Sequence, residues 1–374
     1  MNLTTALIPV DKVNVFRQDD SELPQPMLLD LPNNPDIKKI LIIKWSSMGD
    51  VVISSAVMQD IRLAFPHAEM HLNAMPPWHH MFANDSRFSK VWTVDLRKSE
   101  RGWRGIKRWL GIVKQERYDL IVDLQTNDRT RLLLALLRLT GRAPRYMLGN
   151  KPLLPYTVRQ QAIPQTHVIT LMRRSLAAIG VAAKMQTPVL YSTLTDREQA
   201  KAILAKHQLD TQSFAVLLPG SHAAGQTKRW GIAHFAELAK AVHEQGVSRI
   251  VLIGGMDEAD DCIKIAAYHP EFIVNLCGQT TLLALPEIYR YASMIIGNDT
   301  GTAHLAAVAQ RPILVICGPT DPRRVMPIGP QVVAIQADIA CKNCYQKTCS
   351  HHSCMKNLTV EHVMVHVKAM QKTK

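Results

Sequence analysis

The chain has 374 residues, of which 47% are hydrophobic and 20% charged, as is typical of a globular protein, and this length exceeds one ordinary core, so we expect two domains. The formal net charge is +13, from 44 Lys and Arg less 31 Asp and Glu. No apolar run reaches the ~18 residues of a membrane-spanning helix, and the N-terminus lacks the features of a signal peptide, so we expect a cytoplasmic protein.

The first half alternates short apolar runs with helical patterns. Residues 1–37, rich in Pro, Asn and Asp, are predicted to form an N-terminal arm. The predicted strands after it are IKKILIIK, AEMHLNAM, KVWTVD, YDLIVDL and PRYMLG. The helices between them are DVVISSAVMQDIRLAF, RGIKRWLGIVKQE and RTRLLLALLRLT. This alternation favours a parallel sheet covered by helices in a domain of residues 38–185.

Most of the net charge lies within this domain. Between Leu96 and Arg174 there are 17 Lys and Arg against 5 Asp and Glu, a local excess of 12. Such a surplus favours an anionic partner such as a membrane surface, although a solvated surface is the alternative. The run that holds Trp103 and Trp109 suits an amphipathic helix resting on a membrane, and equally an ordinary surface helix.

The second half repeats the alternation. Its predicted strands are FAVLLPG, SRIVLIGG, FIVNLCG, SMIIGND and PILVICGP, separated by helical patterns. We expect a second domain of residues 186–374, with a Cys-rich segment at 341–354 and a C-terminal helix. The fold class is therefore α/β, and two doubly wound parallel sheets imply a central cleft with ligands held outside the carboxyl ends of the strands.

Each strong turn signal of the second half directly follows a strand. These loops are PGSHAAGQTKRW, GGMDEAD, GNDTGTAH and CGPTDP. Glycines let a ligand approach the backbone, and helix N-termini accept phosphate. None of the loops is a G-x-G-x-x-G fingerprint or a P-loop, which weakens dehydrogenase and NTPase interpretations.

These motifs, together with KWSSMGDVVISSAV and YDLIVDLQTNDRTRLLLAL, stand in an order and spacing that resembles the bacterial heptosyltransferases of glycosyltransferase family 9. The resemblance covers residues 40 to about 363 and implies the GT-B architecture of two Rossmann-like domains facing a cleft. It also implies inverting transfer of heptose from ADP-heptose to an acceptor in the inner core of lipopolysaccharide. No cofactor is then required for catalysis, and the protein is expected at the cytoplasmic face of the inner membrane, in peripheral contact with its anionic surface.

The acid of KWSSMGD, Asp50, has two interpretations. Its position between a strand and a helix suits a helix cap, because helix N-termini favour negative charge. The resemblance instead implies that Asp50 is the general base that takes a proton from the acceptor hydroxyl. We prefer the base. The other residues expected on the acceptor side are Ser47, Gly49, Gln125, Arg129 and Arg131.

The donor side is expected in the second domain. The resemblance implies that Lys228 stabilises the diphosphate leaving group, that Asp299 contacts the donor sugar, and that Asp257 or Glu258 binds the nucleotide ribose. Neighbouring backbone amides and side chains complete the predicted donor site, namely Gly220, Ser221, Arg229, Thr300, Gly301, Thr302 and His304. For several of these, packing, capping or surface solvation is the alternative.

Four of the seven cysteines lie in the Cys-rich segment, at Cys341, Cys344, Cys349 and Cys354. The first pair has the C-x2-C spacing of half a zinc site, whereas the second pair is spaced differently. The segment is a candidate structural site for zinc or iron. Reduced thiols or disulfides are the alternatives, and a cytoplasmic setting disfavours disulfides.

Two other functions compete with lipopolysaccharide heptosyl transfer. The first keeps the chemistry and changes the acceptor to a protein, as in the branch of the family that modifies autotransporters. The second is a non-catalytic, basic nucleic-acid-binding protein with a structural metal. It explains the charge and the cysteines but not the acids and glycines after the strands, and since no nucleic-acid module signature is present, no nucleic-acid partner is expected.

Overall fold

The computed structural model describes residues 12–18, 27–152, 154–158, 163, 165–221 and 223–371. The chain divides into two compact units. One unit consists of Met1–Asp19 together with Ser192–Lys374, and the other of Asp20–Tyr191. We call them the composite unit and the central unit.

The central unit contains a five-stranded parallel sheet in the order β4-β3-β2-β5-β6. Its strands are β2 (Lys39–Ile43), β3 (Glu69–Asn73), β4 (Lys90–Trp92), β5 (Leu120–Asp123) and β6 (Tyr146–Gly149). Its helices are α1 (Met48–Ala64), α2 (Trp103–Glu116), α3 (Asp128–Leu139) and α4 (Val168–Ala177), with a 3-10 helix at Trp78–Phe82.

One buried amide pairs two of the indoles inside this core. The indole N–H groups of Trp45 and Trp109, both buried, donate to the side-chain oxygen of Asn73 over 2.8 and 2.9 Å. Asn73 in turn donates to the Trp92 carbonyl at 3.2 Å. Because a buried polar group without a partner is costly, this amide is what lets two large indoles enter the core side by side.

The composite unit contains a seven-stranded sheet in the order β1-β12-β11-β10-β7-β8-β9. Its strands are β1 (Val13–Arg17), β7 (Phe214–Leu218), β8 (Arg249–Leu252), β9 (Ile273–Asn275), β10 (Met294–Asn298), β11 (Ile313–Cys317) and β12 (Val332–Ala337). Its α-helices are α5 (Leu194–Lys206), α6 (Ile232–Glu244), α7 (Ala259–Ala266), α8 (Ala284–Tyr289), α9 (Gly301–Ala306), α10 (Pro322–Val325), α11 (Ser353–Lys356) and α12 (Val360–Gln371). Short 3-10 helices lie at Ala223–Lys228, Met256–Glu258 and Ala307–Ala309.

Both sheets have a point where the strand order reverses direction. In the central unit this point lies between β2 and β5, and in the composite unit between β7 and β10. Doubly wound folds hold ligands outside the carboxyl ends of the strands at such points. The loops after these four strands carry KWSSMGD, LQTND, LPGS and NDTG, so each sheet places two predicted motifs at its own reversal point.

The predicted N-terminal arm is not one segment. Val13–Arg17 forms β1, which pairs antiparallel with β12 at the edge of the seven-stranded sheet. The polar composition of residues 1–37 did not predict this strand, because an edge strand with one solvated face needs few apolar residues. Residues 1–11 and 19–26 of the arm lie outside the described part of the chain. The units meet in sequence between Tyr191 and Ser192, six residues after the predicted boundary.

The basic helix α2 packs on the core as an ordinary surface helix, and its predicted contact with a membrane stays a prediction. It buries Trp109, Leu110 and Val113 against the core, as an ordinary surface helix does. Trp103, at its first turn, is 68% exposed beside the exposed Arg104. In the described part of the chain, none of the helices has the length and apolar character needed to span a bilayer.

Candidate functional site

Asp50 is the third residue of α1 and closes the turn that follows β2. Its Oδ2 accepts hydrogen bonds from the backbone N–H and the hydroxyl of Ser47, both at 3.1 Å. The cap interpretation is therefore physically realised. Within the described residues no hydrogen bond engages Oδ1, and Asp50 is only half-buried, so one carboxylate oxygen can still accept a proton from a ligand hydroxyl.

The turn before α1 is held by the neighbouring strand and by an arginine. Oε1 of Gln125, in the loop after β5, accepts from the backbone N–H groups of Trp45 at 3.0 Å and Ser46 at 3.1 Å. The guanidinium of Arg97, in the loop after β4, donates to the Ser46 hydroxyl. Gln125 thus shapes the turn that presents Asp50, and its predicted contact with the acceptor stays a prediction.

A buried charge network lies beneath this turn. Lys44 is 3% exposed and donates to the Leu124 carbonyl at 3.3 Å. Burial lowers its pKa, while the charges of Asp50 and Asp123 oppose that shift. Burial raises the pKa of Asp123, whose carboxylate accepts from the Tyr156 hydroxyl at 2.6 Å. The network ties the ends of β2 and β5 together below the predicted base.

The remaining residues predicted on the acceptor side lie on the first turns of α1 and α3. Gly49 is buried and Ser47 exposed. Arg129 is exposed, while Arg131 pairs with Asp128 of its own helix at 3.2 Å. An exposed arginine at a helix start remains available to an anionic ligand, so the assignment of Arg129 and Arg131 to acceptor binding stays a prediction.

In the composite unit, Asn298 connects the loops that carry the predicted donor residues. It ends β10 and is fully buried. Its amide nitrogen donates to the carbonyls of Pro219 at 2.6 Å and Gly220 at 3.2 Å, and its oxygen accepts from the Trp230 N–H at 3.2 Å. One amide therefore fixes the loop after β7, the loop before α6 and the end of β10 against each other.

Lys228 and Asp299 form an ion pair. Nζ of Lys228 lies 2.7 Å from Oδ2 of Asp299, which also accepts from the Thr320 hydroxyl at 2.8 Å. Nε2 of His304 lies 3.9 Å from Oδ1 of the same carboxylate. Asp299 is 5% exposed, whereas the lysine side chain is 32% exposed. The Asp299 carboxylate thus holds the Lys228 ammonium in place. Because the lysine is partly exposed, its ammonium can also contact an anionic ligand.

The structure distinguishes the two adjacent acids of GGMDE. Asp257 is exposed, whereas Glu258 is buried, and burial raises its pKa despite the hydrogen bond at 2.7 Å from the Gly255 N–H. Glu258 packs on Gly220 so closely that a Cβ there would lie 2.0 Å from its carboxyl carbon. Glu258, not Asp257, is therefore the acid adjacent to the LPGS loop.

Other predicted donor residues are placed unevenly. Arg229 donates to Asp261 of α7 at 2.7 Å and to the Ser221 carbonyl at 3.1 Å, so its guanidinium braces the loop. The Ser221 hydroxyl donates to the Gly225 carbonyl at 2.7 Å. The stretch 300–302 is half-buried at the start of α9. Its backbone amides adjoin Asp299, whereas the side chain of Arg229 is already engaged elsewhere.

The Cys-rich segment of residues 341–354 surrounds a cavity of about 200 Å³. All four of its cysteines line this cavity with His351 and His352. Burial, reinforced by the other three cysteines, raises the pKa of Cys354 to about 11. Over the described residues, no three His, Cys, Asp or Glu side chains converge as a metal site requires. The candidate structural site for zinc or iron at these cysteines therefore stays a prediction.

Several residues that build the site were not singled out from the sequence. Asn298 and Thr320 fall inside the quoted motifs GNDTG and CGPTDP, but their roles depend on which loops adjoin in space. Arg97 belongs to the basic run, where nothing marks one arginine among many. Lys44 and Asp123 each follow or end a predicted strand, and a charged residue at the carboxyl end of a buried strand is the signal that could have identified them.

Comparisons with known proteins agree with this layout. A family model described as glycosyltransferase family 9 (heptosyltransferase) matches residues 107–355. Lipooligosaccharide heptosyltransferase 2 of Haemophilus ducreyi is 26% identical over 317 residues, covering 80% of this chain and 88% of that protein. The family 9 glycosyl transferase structure from Veillonella parvula has a TM-score of 0.76 at 17% identity, covering 91% of this chain and 98% of its own. E. coli ADP-heptose LPS heptosyltransferase II has a TM-score of 0.68 at 18% identity, covering 90% and 99%. The predicted GT-B fold class is confirmed.

Proposed function

Because the chain belongs to glycosyltransferase family 9, the heptosyltransferases, and is therefore a glycosyltransferase, we propose that it transfers heptose from ADP-heptose to an acceptor in the inner core of lipopolysaccharide, with inversion at the anomeric carbon. ADP-heptose and lipopolysaccharide both appear in the name of the similar E. coli enzyme, whereas the inner core as the site of transfer rests on the family resemblance. Membership of an enzyme family rules out the non-catalytic nucleic-acid-binding alternative.

The donor assignment rests on one observation above all: the loops after β7, β8 and β10 are joined into one polar assembly. Glu258 packs on Gly220, Asn298 binds the Gly220 carbonyl, and Lys228 pairs with Asp299 at 2.7 Å. An ammonium beside loop amides suits a diphosphate, and stabilising the charge that develops on a leaving diphosphate is the main electrostatic demand of glycosyl transfer.

Inversion is supported by the carboxylate of the central unit. A single-step displacement needs one base near the attacking hydroxyl and no protein nucleophile. Asp50 is held at the reversal point of its sheet with Oδ2 engaged by Ser47. We propose that Oδ1 takes the proton of the acceptor hydroxyl as the sugar is transferred, while Lys228 stabilises the departing ADP.

We further propose that the enzyme works at the cytoplasmic face of the inner membrane, with the central unit in contact with anionic lipid. Exposed Trp103 on the basic α2, and Leu132 and Leu139, which are 54% and 85% exposed on α3, combine apolar side chains with the positive surplus of this unit. Such surfaces bind anionic lipid by burying apolar area and attracting headgroups. We expect the protein to bind phosphatidylglycerol vesicles. This binding should be lost in the Trp103→Ala variant and at high salt.

The test of the function is a transfer assay with purified protein. ADP-heptose is offered with heptose-free core lipid, and the anomeric configuration of the product is read by NMR. We expect product with inverted configuration, and none from UDP-glucose. A protein acceptor modified in place of the lipid would move the assignment to the autotransporter-modifying branch, and the absence of any transfer would refute it.

Lys228→Met tests the donor site, with Lys240→Met as its matched control. Lys240 is an exposed lysine of the same unit, 4.0 Å from the equally exposed Glu244. Loss of the Lys228 charge is expected to weaken ADP binding by about 30- to 1,000-fold, because the diphosphate of ADP then lacks the cation that would pair with it. Calorimetry should find ADP affinity unchanged in Lys240→Met. Equal affinities in both variants would remove Lys228 from the site.

A further inference from the structure

The loop that carries Lys228 is anchored at each residue from Thr227 to Trp230. Trp230 donates from its indole to the Leu358 carbonyl at 2.7 Å and from its backbone to Asn298. Arg229 is bound to Asp261, and Lys228 to Asp299. Among these partners, Asn298 ends β10 and Asp261 lies on α7. The anchors of Thr227, the residue directly before the lysine, come from the Cys-rich segment instead.

Two hydrogen bonds join Thr227 to the Cys-rich segment. Nε2 of His352 lies 2.6 Å from the Thr227 carbonyl oxygen, and the Thr227 hydroxyl donates to the Gln346 carbonyl at 2.8 Å. A carbonyl only accepts, so Nε2 of His352 carries the proton. Thr227 is 8% exposed, and a hydrogen bond shielded from water holds its geometry better than an exposed one.

The same segment also reaches the other side of the ion pair. The backbone N–H of Tyr345 donates to the Pro319 carbonyl at 2.8 Å, and the Tyr345 hydroxyl accepts from the Asp321 N–H at 3.2 Å. Between these two positions lies Thr320, whose hydroxyl binds Asp299. The Cys-rich segment thus holds Thr227, next to Lys228. It also holds Pro319 and Asp321, which flank Thr320.

We propose that the Cys-rich segment is the brace of the donor site and that His352 is a positioning residue for Lys228. By donating to the Thr227 carbonyl, His352 holds the backbone from which the lysine extends, so that the ammonium is oriented before the diphosphate arrives. Preorganised charges stabilise a developing anion without reorganisation during the reaction. This inference rests on the proposed role of Lys228 and adds a residue to it that the family resemblance did not supply.

The neighbouring His351 provides a matched comparison. It is exposed, and among the described residues its Nδ1 contacts only the hydroxyl and backbone N–H of Ser353, within its own turn. The two histidines share the segment, the cavity and the residue type. They differ in whether the ring reaches the loop of Lys228.

The experiment measures the affinities of ADP and of adenosine in reducing buffer, using calorimetry for ADP and NMR competition for adenosine. His352→Ala, His352→Gln, Thr227→Val and His351→Ala are compared, each alone and together with Lys228→Met. We expect His352→Ala to weaken ADP binding by about two- to tenfold, the effect of one neutral hydrogen bond, while adenosine affinity stays unchanged. His352→Gln, whose amide can donate, should restore most of the loss, and His351→Ala should show none.

In the Lys228→Met background His352→Ala should cost nothing further, because a positioning residue acts only through the group it positions. Equal losses for ADP and adenosine, or an undiminished loss without Lys228, would reduce His352 to a structural role and overturn the inference. If His352→Ala does not fold, Thr227→Val removes the second hydrogen bond and decides the question by the same criteria. Should Lys228→Met itself leave ADP affinity intact, the proposed function of the lysine fails, and the brace is refuted with it; failure of the His352 and Thr227 variants alone refutes only the brace.

Discussion

Asp50 presents a clear experimental choice, because the structure gives it a capping role and the proposed mechanism gives it a chemical one. Asp50→Asn and Ser47→Ala separate the two. The asparagine oxygen can still accept both hydrogen bonds from Ser47, but the amide is not a base. Ser47→Ala leaves the carboxylate in place and removes the hydroxyl that donates to it at 3.1 Å.

The expected magnitudes run in opposite directions. Asp50→Asn loses the attraction between a negative charge and the helix N-terminus, about 0.3–1 kcal/mol of unfolding free energy. Ser47→Ala loses a side chain at the N-cap, about 1 kcal/mol. If Asp50 is the base, Asp50→Asn lowers kcat by about 10²- to 10⁴-fold. Ser47→Ala should lower kcat by less than about tenfold, since it loosens the orientation of the carboxylate but leaves the base in place.

Urea unfolding and a transfer assay with ADP-heptose and heptose-free core lipid measure both quantities on the same samples. ADP affinity serves as the control for the donor site and should be unchanged in both variants. The role of Asp50 as general base would be refuted if kcat fell in proportion to stability in both variants, with Asp50→Asn no slower than Ser47→Ala. Asp50 would then have only the capping role.

Two further predictions concern stability. Gly220→Ala should lower the unfolding free energy by about 1–3 kcal/mol and weaken ADP binding, because its Cβ would lie 2.0 Å from the carboxyl carbon of Glu258 and must displace that side chain. Gly111→Ala, in open space on the exposed face of α2, should instead raise the unfolding free energy by about 0.5–1 kcal/mol. Urea titration of both variants checks the contrast. Glu116 is held by Lys39 and Lys90, both at 2.6 Å, which lower its pKa to about 2 from an ordinary 4.5. A carboxyl with a depressed pKa stabilises the fold fully above its unfolded value, so this contribution should vanish as pH falls from about 4.5 to about 2. Glu116→Gln should then lose less stability than the wild type between pH 6 and pH 3, and an identical pH dependence would count against the ion pairs.

The sheets and most helices were predictable, because each buried parallel strand is a continuous apolar run. KILII, LIVD, FAVLL and ILVIC are buried along nearly their whole length, and the quoted loop motifs follow their carboxyl ends. The α/β class with two doubly wound sheets follows from that alternation, whereas the GT-B architecture was implied by the resemblance to the family. The strand Val13–Arg17 escaped detection because its pattern carries both polar and apolar residues and its partner lies more than 300 positions away.

The site was predictable as a set of loops but not as a set of contacts. The sequence does not distinguish Asp257 from Glu258, since only the packing of Glu258 on Gly220 shows which carboxyl group turns inward. Likewise Arg229 reads as a phosphate ligand until Asp261 is found beside it. The spacing of the cysteines predicts metal chemistry, whereas the geometry shows a segment bonded to the loop of Lys228.

The pairing of β1 with β12 makes the composite unit discontinuous, because its edge strand comes from the opposite end of the chain. A fragment cut out at Ser192 would therefore expose the backbone edge of β12, whose six residues are all buried in the intact protein. Unpaired edges recruit strands from other molecules, so such a fragment is expected to self-associate. Supplying a peptide of residues 12–18 in trans should restore a monomer by donating the missing strand.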